Sequence, residues 1–178
     1  MHILVLTGSP HKQGTSALLA DSFTRGAEEA GHQVVRFDAA FADISPCMGC
    51  ESCRSQGGQC VYADDMDALW PNLLEADLIV LATPLYYFAM TAQLKTLLDR
   101  FYSRNAELRQ RKRQACLLAT CADRDDWAMH GLQAHYESVC RYLGWEDKGR
   151  VLAQGVAVRQ DIEATAYPQE AYNLGRSL

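Results

Sequence analysis

Residues Asp77–Arg100 read DLIVLATPLYYFAMTAQLKTLLDR, and this stretch decides the class of fold. Asp77 to Thr83 is a continuous apolar run, the pattern of a strand buried on both faces of a parallel sheet. Pro84 ends it. Leu94, Leu97, Leu98 and Phe101 then recur at helical spacing and predict a helix from Thr91 to Tyr102. Between strand and helix, Leu85, Tyr86, Tyr87, Phe88 and Met90 put five large side chains into six positions. A loop this aromatic at the carboxyl end of a strand calls for a cover. A flat, largely apolar ring suits it, because aromatic faces stack well. Packing against a partner subunit would also cover it, and the two are compatible.

The same alternation extends in both directions. His2 to Thr7 (HILVLT) reads as a strand closed by Gly8-Ser9-Pro10. Thr15 or Ser16 is expected to cap a helix with Leu18, Leu19, Phe23, Ala27 and Ala30 on its inner face, and Gly31 stops it. Gln33 to Asp38 is a second strand. Asp64 opens a helix with Met66, Leu69, Leu73 and Leu74 on its apolar side, and Pro71 is expected to kink it or delay its start. Ala115 to Cys121 is a fourth strand and Asp125 to Leu143 a long helix closed by Gly144. Val151 to Val158 is a fifth strand, and Pro168 to Ser177 a last helix with proline in its first turn. Five strands joined by helical crossovers predict an α/β fold, a doubly wound parallel sheet with helices on both faces. Order 2-1-3-4-5 is the economical choice, in one domain over residues 1–178. Ligands of such sheets sit at the carboxyl ends of the strands, so the site is expected on the loops after strands one, three and four.

Composition narrows the functions available. Hydrophobic residues make up 48% of 178, enough for a substantial core. A formal charge of −5 lacks the footprint of a nucleic-acid binder. One basic cluster, Arg109, Arg111, Lys112 and Arg113, reads as a solvated connection or as a seat for the extra phosphate of NADPH. No apolar run approaches the ~18 residues of a membrane span, and MHILVLTG lacks a basic signal region, so the chain is expected in the cytoplasm. Seven cysteines cannot all pair with one another. In a reducing cytoplasm they stay thiols or metal ligands. Cys116, Cys121 and Cys140 read as small buried hydrophobes.

The first loop, TGSPHKQGTS from Thr7 to Ser16, runs from a strand into a helix N-terminus. Such a turn offers free N–H groups and the positive end of a helix dipole, a natural phosphate seat. It is not a P-loop: five residues separate Gly8 from Gly14, and Thr15 follows where lysine is required. It is not a G-x-G-x-x-G dinucleotide turn either, and without those glycines Asp38 reads as a strand-end turn residue. Ser9, Thr15 and Ser16 can each donate to the oxygens of a phosphomonoester.

With these two loops in view, the chain resembles the flavodoxin-like NAD(P)H-dependent FMN reductases, especially the branch with the iron–sulfur flavoproteins. The first loop is similar to that family's G-S-P-[RK]-x-x-G-[NT]-[TS] phosphate loop. The second is similar to its T-P-[LIV]-Y-[WYF]-x-x-x-x-x-[LM]-K segment. The resemblance implies a flavodoxin-like fold that holds FMN, takes electrons from NAD(P)H and passes them to a small acceptor such as a quinone, azo or nitro compound or a flavin. It implies that Ser9, His11, Thr15 and Ser16 hold the FMN phosphate. Pro84, Leu85, Tyr86 and Tyr87 would line the ring, and Thr120 to Asp123 would approach it from strand four. The flavin N5 would carry the chemistry, with Tyr86 and Tyr87 shaping the pocket and no dedicated acid or base. The family also implies a homodimer or homotetramer. His11 departs from the family's Arg or Lys, replacing a permanent cation by a titratable one. FMN affinity is then expected to weaken as pH rises, unless Lys12 contributes.

Residues 39 to 63 show little periodicity and hold four of the cysteines. Cys47, Cys50, Cys53 and Cys60 read C-x2-C-x2-C-x6-C, and such spacing lets thiolates converge on a metal. The motif resembles that of the iron–sulfur flavoproteins, which implies ligands to a [4Fe–4S] cluster and an electron-carrier role. Free or redox-active thiols and a structural zinc site remain open alternatives. His130 and His135, on the long helix, read as surface or packing residues.

Overall fold

The computed structural model describes residues 1–178. Five parallel strands stand in the order β2-β1-β3-β4-β5. In chain order the elements are β1 (His2–Thr7), α1 (Thr15–Glu29), β2 (Gln33–Asp38), α2 (Ser52–Ser55), α3 (Met66–Glu75), β3 (Leu78–Pro84) and α4 (Ala92–Arg100), then α5 (Asn105–Gln110), β4 (Arg113–Thr120), α6 (His130–Leu143), β5 (Trp145–Ala153), α7 (Arg159–Glu163) and α8 (Tyr167–Arg176). Short 3-10 turns cover Ala39–Phe41 and Phe101–Arg104.

The apolar run of the central strands is explained by two cores. Side chains alternate across a strand, so Leu4, Leu6, Ile79, Leu81, Leu117 and Ala119 enter one core with Leu69, Leu94, Phe101, Leu132 and Tyr136. Ile3, Val5, Leu78, Val80, Cys116 and Leu118 enter the other with Leu19, Phe23, Ile162 and Ala171. Neither face is left for water. On the second face α1 and α8 touch backbone to backbone. A Cβ on Gly175 would lie 3.0 Å from the Ala27 nitrogen, and one on Gly26 would lie 3.1 Å from the Arg176 nitrogen. Only glycine permits that approach.

Four local expectations need correction. β5 begins at Trp145, six residues before Val151, and ends at Ala153. Its first half, Glu146 to Lys148, is exposed and charged because β5 is an edge strand, where polar side chains are tolerated. The residues after Ala153 therefore form a loop and not a strand. α3 starts at Met66, ahead of Pro71, so the proline sits inside the helix and does not delay its start. α6 starts at His130 and not at Asp125, because residues 125–129 are taken up by turns closed by Asp125 and Trp127 carbonyls. In the basic cluster Arg109, Arg111 and Lys112 are exposed, as a solvated connection requires, but Arg113 is not. Arg113 is 3% exposed and donates to the carbonyls of Leu74, Ala76 and Leu108. Arg111 pairs with Asp77. Both stand at the amino ends of the strands, the opposite edge from the loops expected to hold ligands.

Candidate active site

The loops at the carboxyl ends of the strands are stitched together before any ligand arrives. The Gly8 N–H donates to the Ala82 carbonyl at 2.9 Å and Thr91 Oγ1 donates to the Gly8 carbonyl at 2.7 Å. Gly8 has no side chain to obstruct this: a Cβ there would lie 2.7 Å from that of Leu94. Leu85 N–H donates to the Thr120 carbonyl at 2.7 Å, and Cys121 N–H to the Ala153 carbonyl at 2.9 Å. Thr15 and Thr120, 105 positions apart, share a buried hydroxyl–hydroxyl bond of 2.8 Å. The first loop is thereby tied to the end of β4.

These loops enclose one cavity of about 670 Å³, within the range of cofactor sites. One end is built by Ser9 to Thr15. There α1 begins at Thr15 behind Gly14, and neither Thr15 nor Ser16 caps it as expected, because both lie inside the helix; its first N–H groups therefore lack partners and its dipole favours an anion. The loop is drawn tight around that point. The His11 N–H donates to Ser9 Oγ at 3.1 Å, and a Cβ on Gly14 would lie 3.1 Å from that of His11. Pro84, Leu85 and Tyr86 form an apolar wall, with Thr120, Cys121 and Ala122 beside it. Burial pushes the Cys121 thiol up, and its Sγ donates to the Asp123 carbonyl at 3.2 Å, which keeps it a neutral lining group.

Seven of the residues expected at the site meet here: Ser9, His11, Thr15, Pro84, Leu85, Tyr86 and Thr120. Three do not line the cavity. Ser16 is 2% exposed and packs inside the first turn of α1. Asp123 turns its carboxylate to the Asp125 N–H at 2.9 Å. Tyr87 is 97% exposed at the tip of a two-residue turn. Tyr86 and Ala89 exchange N–H···O bonds across that turn, which puts Tyr87 and Phe88 at φ 50° and 66°. Such left-handed angles are costly for large side chains. Phe88 is held by Trp127, with ring centroids 4.9 Å apart.

The reading by residue type missed the fourth side of the cavity, Val156 to Arg159 from the loop after β5. The displaced boundary of β5 hid it. The one available signal was Arg159 itself, a cation just beyond the carboxyl end of a strand in a sheet whose ligands gather at those ends.

The cysteine loop lies elsewhere. Cys47, Cys50, Cys53 and Cys60 all line a second, small cavity of about 30 Å³, with Tyr62 and Arg100 among its walls. All four are free thiols. No three of them stand in metal-ligating geometry. The Ser52 hydroxyl and N–H hold the Cys50 thiol below its ordinary value. The loop is clasped at its base by Arg100, which donates to the Ser45 carbonyl at 2.8 Å and to the Asp64 carboxylate. His135 is half-buried on α6, and burial lowers its imidazole.

Comparison with known proteins agrees with this construction. The family model for NADPH-dependent FMN reductases matches residues 1–152. An iron–sulfur flavoprotein of Archaeoglobus fulgidus is 37% identical over 100 residues, 56% of this chain and 45% of that one. The chain spans about half the length of the curated relatives of this kind that it matches. YwqN of Bacillus subtilis, named as an NAD(P)H-dependent FMN-containing oxidoreductase, is 27% identical over 87% of this chain and 86% of its own. Among solved structures, an NAD(P)H:quinone oxidoreductase from Methanothermobacter marburgensis superposes with a TM-score of 0.74 at 20% identity, covering 99% of this chain and 96% of that one. That likeness establishes the flavodoxin-like fold.

Proposed function

Because this chain belongs to the NADPH-dependent FMN reductase family, we propose that it is an NAD(P)H-dependent FMN oxidoreductase that passes electrons to a small acceptor. Quinones, azo and nitro compounds and free flavins are the acceptor classes in view. One observation carries the reading: a single cavity joins an uncapped helix N-terminus, flanked by Ser9 and Thr15, to an apolar wall ending in Tyr86. That is the polarity of FMN, an anionic phosphate at one end and a flat ring at the other. When bound, FMN supplies a centre that accepts a hydride and returns the electrons.

The residues supply binding and orientation. Ser9, Thr15 and the first N–H groups of α1 hold the phosphate, with Ser16 contributing only through its backbone. Pro84, Leu85 and Tyr86 fix the plane of the ring. Thr120 to Ala122 limit it on the β4 side. Tyr87, outside the cavity, and Asp123, turned to Asp125, act on loop shape and not on the ring. Donor and acceptor use the open side of the cavity in turn, so ping-pong kinetics are expected. No helix is long and apolar enough to cross a membrane, and residues 1–178 work as one domain in the cytoplasm, as a homodimer or homotetramer.

A second reading is an electron carrier with a [4Fe–4S] cluster on the cysteine loop. It is favoured by the convergence of all four loop thiols on one cavity and by the names of the iron–sulfur relatives. The thiols would have to draw together, since they are not set for ligation.

The experiment is anaerobic purification followed by a visible spectrum, iron and zinc analysis, and addition of NADPH and then NADH. A resolved flavin spectrum that bleaches with either donor, without iron, is the expected result. Broad absorbance beneath it with stoichiometric iron moves the assignment to the electron carrier. Zinc without flavin would point to a thiol or zinc redox-sensing module. A colourless protein that takes up no added FMN overturns the proposal.

A further inference from the structure

We infer that Arg159, delivered by the loop after β5, is the fixed cation that clamps the FMN phosphate; this rests on the flavin reading above. A phosphomonoester carries about −1.5 to −2 charges near neutral pH. The first loop offers hydroxyls and N–H groups, which supply donors but no full charge. Three cationic side chains line the cavity: His11, Lys12 and Arg159. Lys12 is exposed, and its Nζ is engaged over the Phe41 ring, 4.7 Å from the centroid. His11 is exposed, and an imidazole is not a permanent cation. Arg159 is always charged and presents a planar fork of donors suited to phosphate oxygens.

Its placement fits that use. Nη1 donates to the Gln13 carbonyl at 3.4 Å, which sets the guanidinium on the phosphate end of the cavity and not on the ring end. Nε donates to Glu163 Oε1 at 2.7 Å, one turn along α7, which fixes the plane of the fork. Nη2 makes no hydrogen bond to the protein and is free for a ligand. The segment carrying Arg159 is held in turn. One oxygen of the Asp161 carboxylate, Oδ2, accepts from the N–H groups of both Ala157 and Val158, at 2.9 and 3.0 Å. Those bonds hold the Asp161 carboxyl below its ordinary value. The loop is therefore braced immediately before the arginine, which it delivers beside the first loop at Gln13.

The test compares FMN with riboflavin, which shares the ring and lacks the phosphate. Flavin-free protein, wild type and Arg159→Gln, would be titrated with each by quenching of flavin fluorescence. Wild type is expected to prefer FMN. Arg159→Gln is expected to lose FMN affinity by about ten- to a hundredfold, the equivalent of one charge-assisted bond, while riboflavin affinity stays the same. Arg159→Lys, which keeps charge and loses the fork, is expected to fall between them. Unchanged FMN affinity in Arg159→Gln overturns the inference. So does an equal loss of riboflavin, which marks a structural role, or a defect confined to the KM for NADPH, which assigns the arginine to the donor. A wild type that binds neither flavin overturns the flavin reading itself, and this inference with it.

Discussion

Arg100 donates to both carboxylate oxygens of Asp64, at 2.5 and 3.2 Å, and the two side chains are 1% and 5% exposed. The pair joins the last residue of α4 to the far end of the cysteine loop, and Arg100 also holds Ser45 at the near end. α4 begins one residue after Thr91, whose hydroxyl binds Gly8. One helix therefore connects the base of the phosphate loop to the base of the cysteine loop.

Removing one partner of this pair strands a buried charge. Asp64→Ala is expected to destabilise the fold by about 3–5 kcal/mol, read from urea melts. Burial pushes the Asp64 carboxyl up, but the bonds from Arg100, Ser45 and Met66 outweigh it and the net direction is down. A carboxyl lowered on folding adds stability that is full above its unfolded value, near 3.9, and fades as pH falls through the folded one. Wild type should thus lose stability on acidification below about pH 4. Asp64→Asn should lack that part of the acid dependence.

The Thr15–Thr120 bond predicts a coupled loss. Thr120→Val leaves Thr15 Oγ1 buried without its partner, which should destabilise by about 1–3 kcal/mol. It should also loosen the first loop against β4, and FMN affinity should fall with it. Thermal melts of the flavin-free protein and a flavin titration separate the two effects.

Tyr87 predicts a gain. It sits at φ 50° while almost wholly exposed, so the backbone strain is not offset by burial. Tyr87→Asn, which tolerates the left-handed region, should raise stability by roughly 0.5–1 kcal/mol. Phe88→Asn should gain less or lose, because it gives up the ring packed on Trp127. Paired denaturation curves decide between them.

Thiol reactivity should divide the cysteines into two groups. Cys47 and Cys50 are exposed. Burial pushes Cys116 up to about 12 and Cys140 up to about 11. Since the thiolate is the nucleophile, mass analysis after brief iodoacetamide treatment of the native, metal-free protein should find label on the loop and none at Cys116 or Cys140. Labelling of the core thiols without denaturant would contradict the buried arrangement.

What the sequence by itself determined was whatever depends on near neighbours. Ile3 to Leu6 and Leu78 to Ala82 are apolar at every position, which only a strand covered on both faces tolerates. Gly144 closes α6 at φ 71°, and the helical spacing of Leu94, Leu97 and Leu98 buries one side of α4. The loop Ser9 to Thr15 could be read as an anion seat because its hydroxyls and the helix start are adjacent in the chain. What only the tertiary structure decided were contacts between distant residues. The charged run Glu146 to Lys148 is a strand because it pairs with β4 at an edge, and no local periodicity signals that. Arg113 is buried because three carbonyls of α3 and α5 and the segments that follow them converge on it. Arg159 reaches the cavity because the parallel sheet sends the loop after β5 to the same edge as the loop after β1. Local pattern sets the elements, but the partner that neutralises a charge is set by topology.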